Sequence, residues 1–124
     1  MNDLVQFLRN RLDEDEHIAR TAGSRHKGGS FWSVEQSEVR AKDGTLIVRH
    51  TWPDEGAHIA RHDPARVLRN VEVGRAALDH YRAVRRSTEK HKAYVLAEGA
   101  VGKQIQILAL AYADHPNYRD DWRP

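Results

Sequence analysis

Apolar residues recur at the spacing of an α-helix through much of this sequence, and this periodicity constrains the fold more than any other feature. Residues 3–22 predict an amphipathic first helix, and 64–86 and 93–113 predict two more, with a short helix at 55–62 between them. The stripe of the first helix consists of Leu4, Leu8, Leu12, Ile18 and Ala19. The chain is therefore expected to be built mainly of helices.

Residues 31–51 change to the pattern of strands. Strand-favouring residues stand on both sides of Asp43-Gly44, a dipeptide that favours a tight turn, so we predict one antiparallel hairpin. A hairpin alone is barely stable in water and should pack on a helix. With 124 residues, the chain has the length of one domain and is too short for two. The prediction is an α+β single domain over 1–124, with three main helices and one hairpin.

The tail, residues 114–124, keeps Tyr118 and Trp122 four residues apart. This spacing predicts one helical turn that packs both aromatic side chains back onto the core. The preceding segment, 101–112, has an apolar surface so broad that it predicts either the most buried helix or a helix that also packs on a partner.

Cysteine is absent from the sequence, whereas histidine occurs eight times. The absence of cysteine excludes disulfides, thiolate nucleophiles and cysteine-ligated zinc or iron–sulfur sites. No apolar run approaches the roughly 18 residues of a membrane-spanning helix, and the first residues lack the order of a signal peptide. We therefore expect a cytoplasmic protein that does not enter a membrane and needs no cofactor, with a divalent metal as the alternative.

Asp15 falls in the centre of the apolar stripe of the first helix. A carboxylate there needs a partner, because an unpaired buried charge is strongly unfavourable. The favoured interpretation is a structural ion pair or hydrogen bond. Its partner is Arg61, His62 or Arg66, or a backbone amide at the start of the 64–86 helix. In the alternative interpretation, Asp15 binds a metal or acts as an acid–base group.

His58 and His62 are four residues apart, which places both rings on one helical face, as in many two-histidine metal sites. Asp63 follows directly, and Asp15, Glu14 or His17 from the first helix could complete a ligand set for zinc, iron or manganese. The glutamate of an HExxH motif is missing, since Ile59 follows His58. The alternative interpretation is that His62 and Asp63 cap the long helix and His58 packs at the edge of the hairpin.

The order of His17, His62-Asp63 and Asp114 resembles the H…HD…D arrangement of metal-dependent phosphohydrolases of the HD class. Histidines and aspartates of that class surround metals that activate water for attack on phosphate, and the resemblance implies the same chemistry here. Three features disagree with the class: His17 lies well off the apolar face of its helix, a hairpin at 31–51 interrupts what should be helical, and the chain is short for that fold. A small HD-like hydrolase therefore stays an alternative.

Residues 61–92 form a basic segment, with nine lysines and arginines against four acidic residues. A nucleic-acid site would need these cations on one outward face. The arginines instead spread around the predicted helix, and no aromatic residues alternate with them. A solvated helix surface is the favoured interpretation, and a nucleic-acid-binding regulator is the alternative.

Two strings, AHIARHDPARVL at 57–68 and ALAYADHPNYRDDWRP at 109–124, resemble signatures of a family of small uncharacterised proteins. That family occurs in actinobacteria and their phages and is classed as a domain of unknown function. The opening LVQFLRNRLDEDEHIA, at 4–19, is similar to the family's usual start, whereas Ala111 stands where members often have proline. The resemblance implies a short cytoplasmic protein, sometimes encoded near mobile elements, and carries over no activity.

Motifs of catalysis are missing from the chain. No nucleophile motif is present, and the segment Gly99–Lys103 lacks the length and the following Ser/Thr of a phosphate-binding loop. The sequence therefore predicts a non-enzymatic interaction or accessory protein that works with a protein partner or as a homo-oligomer.

Overall fold

The chain begins with a long helix, continues through three short strands and ends in three further helices. The computed structural model describes all residues, 1–124. The elements are α1 (Asn2–Gly23), β1 (Trp32–Glu35), β2 (Glu38–Ala41), β3 (Leu46–Val48), α2 (Pro53–Arg61), α3 (Pro64–Lys90) and α4 (Val95–Ala109). The predicted α+β class is confirmed. None of the helices combines the length and the apolar character that crossing a bilayer requires.

Two helices differ in extent from the sequence prediction. α3 continues to Lys90 instead of ending at 86, because no glycine or proline stops it there. The hydroxyl groups of Ser87 and Thr88 donate to carbonyl oxygens one turn earlier, at 3.1 and 3.2 Å. The predicted helix 93–113 is divided, since a 3₁₀ turn precedes α4 and another follows it.

The sheet has three antiparallel strands in the order β1-β2-β3, where the sequence predicts a two-stranded hairpin. The segment expected to be its first strand bends back on itself, so that Trp32 lies opposite Ala41 and Glu35 opposite Glu38. At the bend, Gln36 adopts a positive φ of 56°. Glutamine rarely adopts this conformation, so the residue types give no signal of the turn.

The predicted turn at Asp43-Gly44 is present. Gly44 has a φ of 90°, a conformation that favours glycine. The Asp43 carboxylate accepts the backbone N–H of Thr45 at 2.9 Å, and this hydrogen bond lowers the pKa of Asp43. The sheet packs on α2, as expected for a small sheet. Gly56 of α2 is buried there, and a Cβ on it would stand 2.9 Å from a methyl group of Val34.

Two compact units make up the chain, and the boundaries between them fall inside α1 and α3. One unit consists of Met1–Asp13 and Glu72–Pro124, and the other is Glu14–Val71. The core of the first unit contains Leu4, Phe7, Leu8, Leu12, Leu78, Tyr81, Ile105 and Ala109. The core of the second contains Ala19, Val39, Ala41, Ala65 and Val71. Ile18 is 59% exposed, because it lies at the edge of the apolar stripe and not in it.

The tail belongs to the first unit and packs on the start of α1. The Phe7 ring lies 5.9 Å from the Tyr118 ring and 5.1 Å from the Trp122 ring, between centroids. Arg119 adds an ion pair to Asp3 at 3.3 Å. The predicted helical turn is present as a 3₁₀ turn, Asp120–Trp122.

Candidate functional site

Asp63, one of the predicted metal ligands, connects the sheet to α3. One carboxylate oxygen accepts the backbone N–H of Arg66 at 2.9 Å, and the other accepts the backbone N–H of Trp32 at 3.1 Å. The first bond is the helix cap expected from the Asp63-Pro64 pair, with proline at the first helical position. Both oxygens of Asp63 therefore take part in structural hydrogen bonds.

His58 of α2 and His62, the residue directly after its end, lie on the same side of the chain, as their spacing predicts. Their ring centroids are 4.4 Å apart, and both residues are exposed. The Nδ1 atom of His62 lies 2.8 Å from the backbone oxygen of His58. A carbonyl oxygen only accepts hydrogen bonds, so Nδ1 carries the proton and Nε2 keeps its lone pair when the ring is neutral.

Asp15 and His62 meet at one small cavity of the second unit. The cavity has a volume of about 220 Å³, and its other walls are formed mainly by apolar side chains: Ile18, Ala19, Ala22, Trp32, Pro64 and Val67. Asp15 is half-buried. The other partners predicted for Asp15, Arg61 and Arg66, are exposed and do not border this cavity.

No group of three or more histidine, aspartate or glutamate side chains is arranged to hold a metal ion. The predicted ligand set of Asp15, His58, His62 and Asp63 therefore stays a prediction. His17 and Asp114, which would complete an HD-like set, are both exposed.

A larger cavity, of about 420 Å³, lies in the first unit between the first turns of α1 and the second half of α3. Its walls carry four arginines and one acidic residue. The lining residues are Asn2, Val5, Gln6, Arg9, Tyr81, Arg82, Arg85, Arg86 and Glu89. We call it the arginine cavity.

The arginines of this cavity differ in their hydrogen-bond and ion-pair partners and in their burial. Arg85 donates to the side-chain oxygen of Asn2 at 2.5 Å, and Arg82 lies 3.8 Å from Asp79 one turn earlier. Arg9 and Arg85 are half-buried, whereas Arg82 and Arg86 are exposed. Sequence reasoning missed this site because it considered the basic segment 61–92 by itself. Only the packing of α1 on α3 brings Arg9 to the other three.

The helix α4 leaves one side of its surface apolar and exposed. Leu96, Ala100, Lys103 and Ile107 follow each other on this side at steps of four and three, and Leu110 and Ala111 of the 3₁₀ turn after α4 extend it. We call this side the α4 face. Leu96 is 87% exposed and Ile107 46%. Gly99 borders the face, and a Cβ on it would meet nothing within 4 Å.

Comparison with known proteins places the chain in one family. A family model described as "Family of unknown function (DUF6221)" matches residues 1–124. No curated protein and no solved structure matches the chain. The family match covers the strings at both ends whose resemblance to a domain of unknown function is noted above. The chain therefore belongs to this family of unknown function, DUF6221.

Proposed function

We propose that the protein is a non-enzymatic accessory protein that works as a homodimer, with the α4 face of one copy packed against the α4 face of another. The observation that carries this proposal is the exposure of Leu96 and Ile107 on the same side of one helix. Removing apolar surface of this kind from water is favourable, so an exposed apolar side of a helix tends to pack against a partner. We also propose that the protein is cytoplasmic and of actinobacterial or phage origin, as the resemblance implies.

The spacing of the α4 face suits pairing with itself. Steps of four and three keep the face on one side of the helix, so a second copy can present the same side to it. In an antiparallel pair, with the two-fold axis near Lys103, Leu96 lies opposite Ala111 of the other copy. Ala100 likewise lies opposite Ile107. Each large side chain then meets a small one, which allows the two helices to approach closely.

Charge also favours a second copy as the occupant. Lys103 is the one charged residue on the α4 face. Its aliphatic stem can cover apolar surface while its ammonium group reaches water or the side-chain oxygen of Gln104 from the other copy. Because both copies use the same patch, the assembly is a closed dimer and does not continue into a filament.

The dimer is tested by measuring the molar mass of the wild type and of Leu96→Glu in solution. Leu96 contributes little to the folded monomer, so Leu96→Glu should leave the fold intact. In the dimer, the change puts a carboxylate against apolar surface, which is strongly unfavourable. We expect the wild type to have twice the mass of one chain and Leu96→Glu to be monomeric, as measured by sedimentation equilibrium.

Val73→Glu is the matched control, because Val73 is 61% exposed on α3 and lies outside the α4 face. This variant should remain dimeric. A wild type that is monomeric at every concentration tested would overturn the proposal, and so would a Leu96→Glu protein that is folded and still dimeric.

Each carboxylate oxygen of Asp63 accepts a backbone N–H group, which favours a structural role for Asp63 over a role as a metal ligand.

A further inference from the structure

We propose that the arginine cavity binds a small anion with two or more phosphate groups, such as a nucleoside triphosphate. This site is separate from the α4 face and does not depend on the dimer. It rests on the convergence of Arg9, from α1, with three arginines from α3 on one hollow.

The charge of the cavity favours an anion. Four guanidinium groups face one carboxylate, Glu89, among the lining residues. Like charges gathered around one hollow repel one another, and a bound polyanion relieves that repulsion. Arg9 and Arg85 are half-buried, so less water surrounds them than surrounds an exposed arginine, and their attraction to a bound anion is correspondingly stronger.

The chemistry of the guanidinium group favours phosphate. Its planar fork of five N–H donors matches the oxygens of a phosphate group in a bidentate manner, which a single ammonium cannot do. Arg85 uses one donor group for Asn2 and keeps the others. The bond to Asn2 fixes Arg85 in place before a ligand arrives, which reduces the entropy lost on binding.

The size of the cavity favours a small molecule over a nucleic acid. Its volume of about 420 Å³ lies within the range of small-molecule sites, roughly 300–1,000 Å³. A duplex would need cations along an extended face, whereas these four arginines surround one hollow. Tyr81 is only 3% exposed, so its ring is not available for stacking on a base. Recognition is therefore expected to depend on the phosphates.

Binding is tested by isothermal titration calorimetry with four probes at one ionic strength: ATP, inorganic tripolyphosphate, adenosine and a short DNA duplex. We expect ATP and tripolyphosphate to bind and to compete with each other, and adenosine not to bind. The double variant Arg9→Gln/Arg86→Gln should bind tripolyphosphate about tenfold more weakly or worse, since it loses two charge-assisted contacts.

The matched control is Arg25→Gln/Arg49→Gln, which removes the same charge from two exposed arginines outside the cavity. Its affinity for tripolyphosphate should stay within about twofold of the wild type, apart from long-range screening. If Arg9→Gln/Arg86→Gln does not fold, as judged by circular dichroism, Arg86→Gln alone gives the same comparison, because Arg86 is exposed.

Three outcomes would overturn the proposal. The first is no binding of tripolyphosphate at millimolar concentration. The second is an equal loss of affinity in both double variants, which would indicate attraction to net charge and not to this site. The third is tight binding of the duplex without binding of tripolyphosphate, which would assign the arginines to a nucleic acid.

Discussion

At the scale of single residues, Asp63 joins two elements through one carboxylate. Replacing Asp63 with alanine removes the cap of α3 and leaves the N–H of Trp32 without its acceptor. Loss of a helix cap costs about 0.5–2 kcal/mol, and an unsatisfied amide adds to it. We expect Asp63→Ala to lower the free energy of unfolding by about 1–3 kcal/mol, measured by urea denaturation.

Asp63→Asn provides the comparison. Asparagine caps a helix about as well as aspartate but has one acceptor oxygen in place of two. It should therefore lose less stability than Asp63→Ala. Equal stability of the wild type and Asp63→Ala would show that the two hydrogen bonds contribute nothing.

Asp63 and Arg9 differ in how well their roles can be predicted from the sequence. The Asp63 cap could be predicted because its signal is local: an aspartate before a proline where apolar periodicity begins. Arg9 could not be assigned to the arginine cavity, since it lies more than 70 positions from Arg82. Only tertiary packing brings the two helices together, and the helical wheel of α3 alone shows scattered arginines.

At the scale of elements, one glycine, Gly74, lies where two helices are closely packed, and another, Gly99, lies on open surface. A Cβ on Gly74 of α3 would stand 2.7 Å from a methyl carbon of Leu12, in α1, and Leu12 is itself buried. A Cβ on Gly99 of α4 would meet nothing within 4 Å. We expect Gly74→Ala to destabilise by about 1–3 kcal/mol through overpacking, and Gly99→Ala to stabilise by about 0.5–1 kcal/mol through helix propensity.

Thermal and urea unfolding of the two variants check this pair, at a protein concentration low enough to keep the chain monomeric. Because both changes are glycine to alanine in a helix, the difference between them reports packing alone. Equal effects of the two substitutions would contradict the close approach of α1 and α3 at Gly74.

Element types were more predictable than strand pairing. The helices could be predicted from apolar periodicity, because the residues that form the packed face of a helix all lie within one segment of the sequence. The bend at Gln36 could not, since glutamine supplies no positive-φ preference. The Asp43-Gly44 turn, where glycine does supply it, was predicted correctly.

At the scale of the whole molecule, the first unit is built from segments far apart in the sequence. Phe7 packs on Tyr118 and Trp122, and Asp3 pairs with Arg119. Such a unit cannot complete its core until the last residues are available. Removing residues 116–124 takes Tyr118 and Trp122 away from Phe7, which is 6% exposed in the intact chain, and leaves His115 as its remaining ring contact.

We therefore expect deletion of 116–124 to destabilise the protein by about 3–5 kcal/mol, the range for loss of large buried aromatic contacts. The melting temperature, followed by circular dichroism, should fall accordingly. Deletion of Arg123 and Pro124 alone keeps Trp122 and removes weaker contacts of Arg123: its exposed ion pair with Asp120, its position over the Tyr118 ring and the hydrogen bond that its backbone N–H donates to Asp120. Its effect should therefore be much smaller. If both deletions left the melting temperature unchanged, the tail would not be part of the core, and the contacts of Phe7 with Tyr118 and Trp122 would carry no stability.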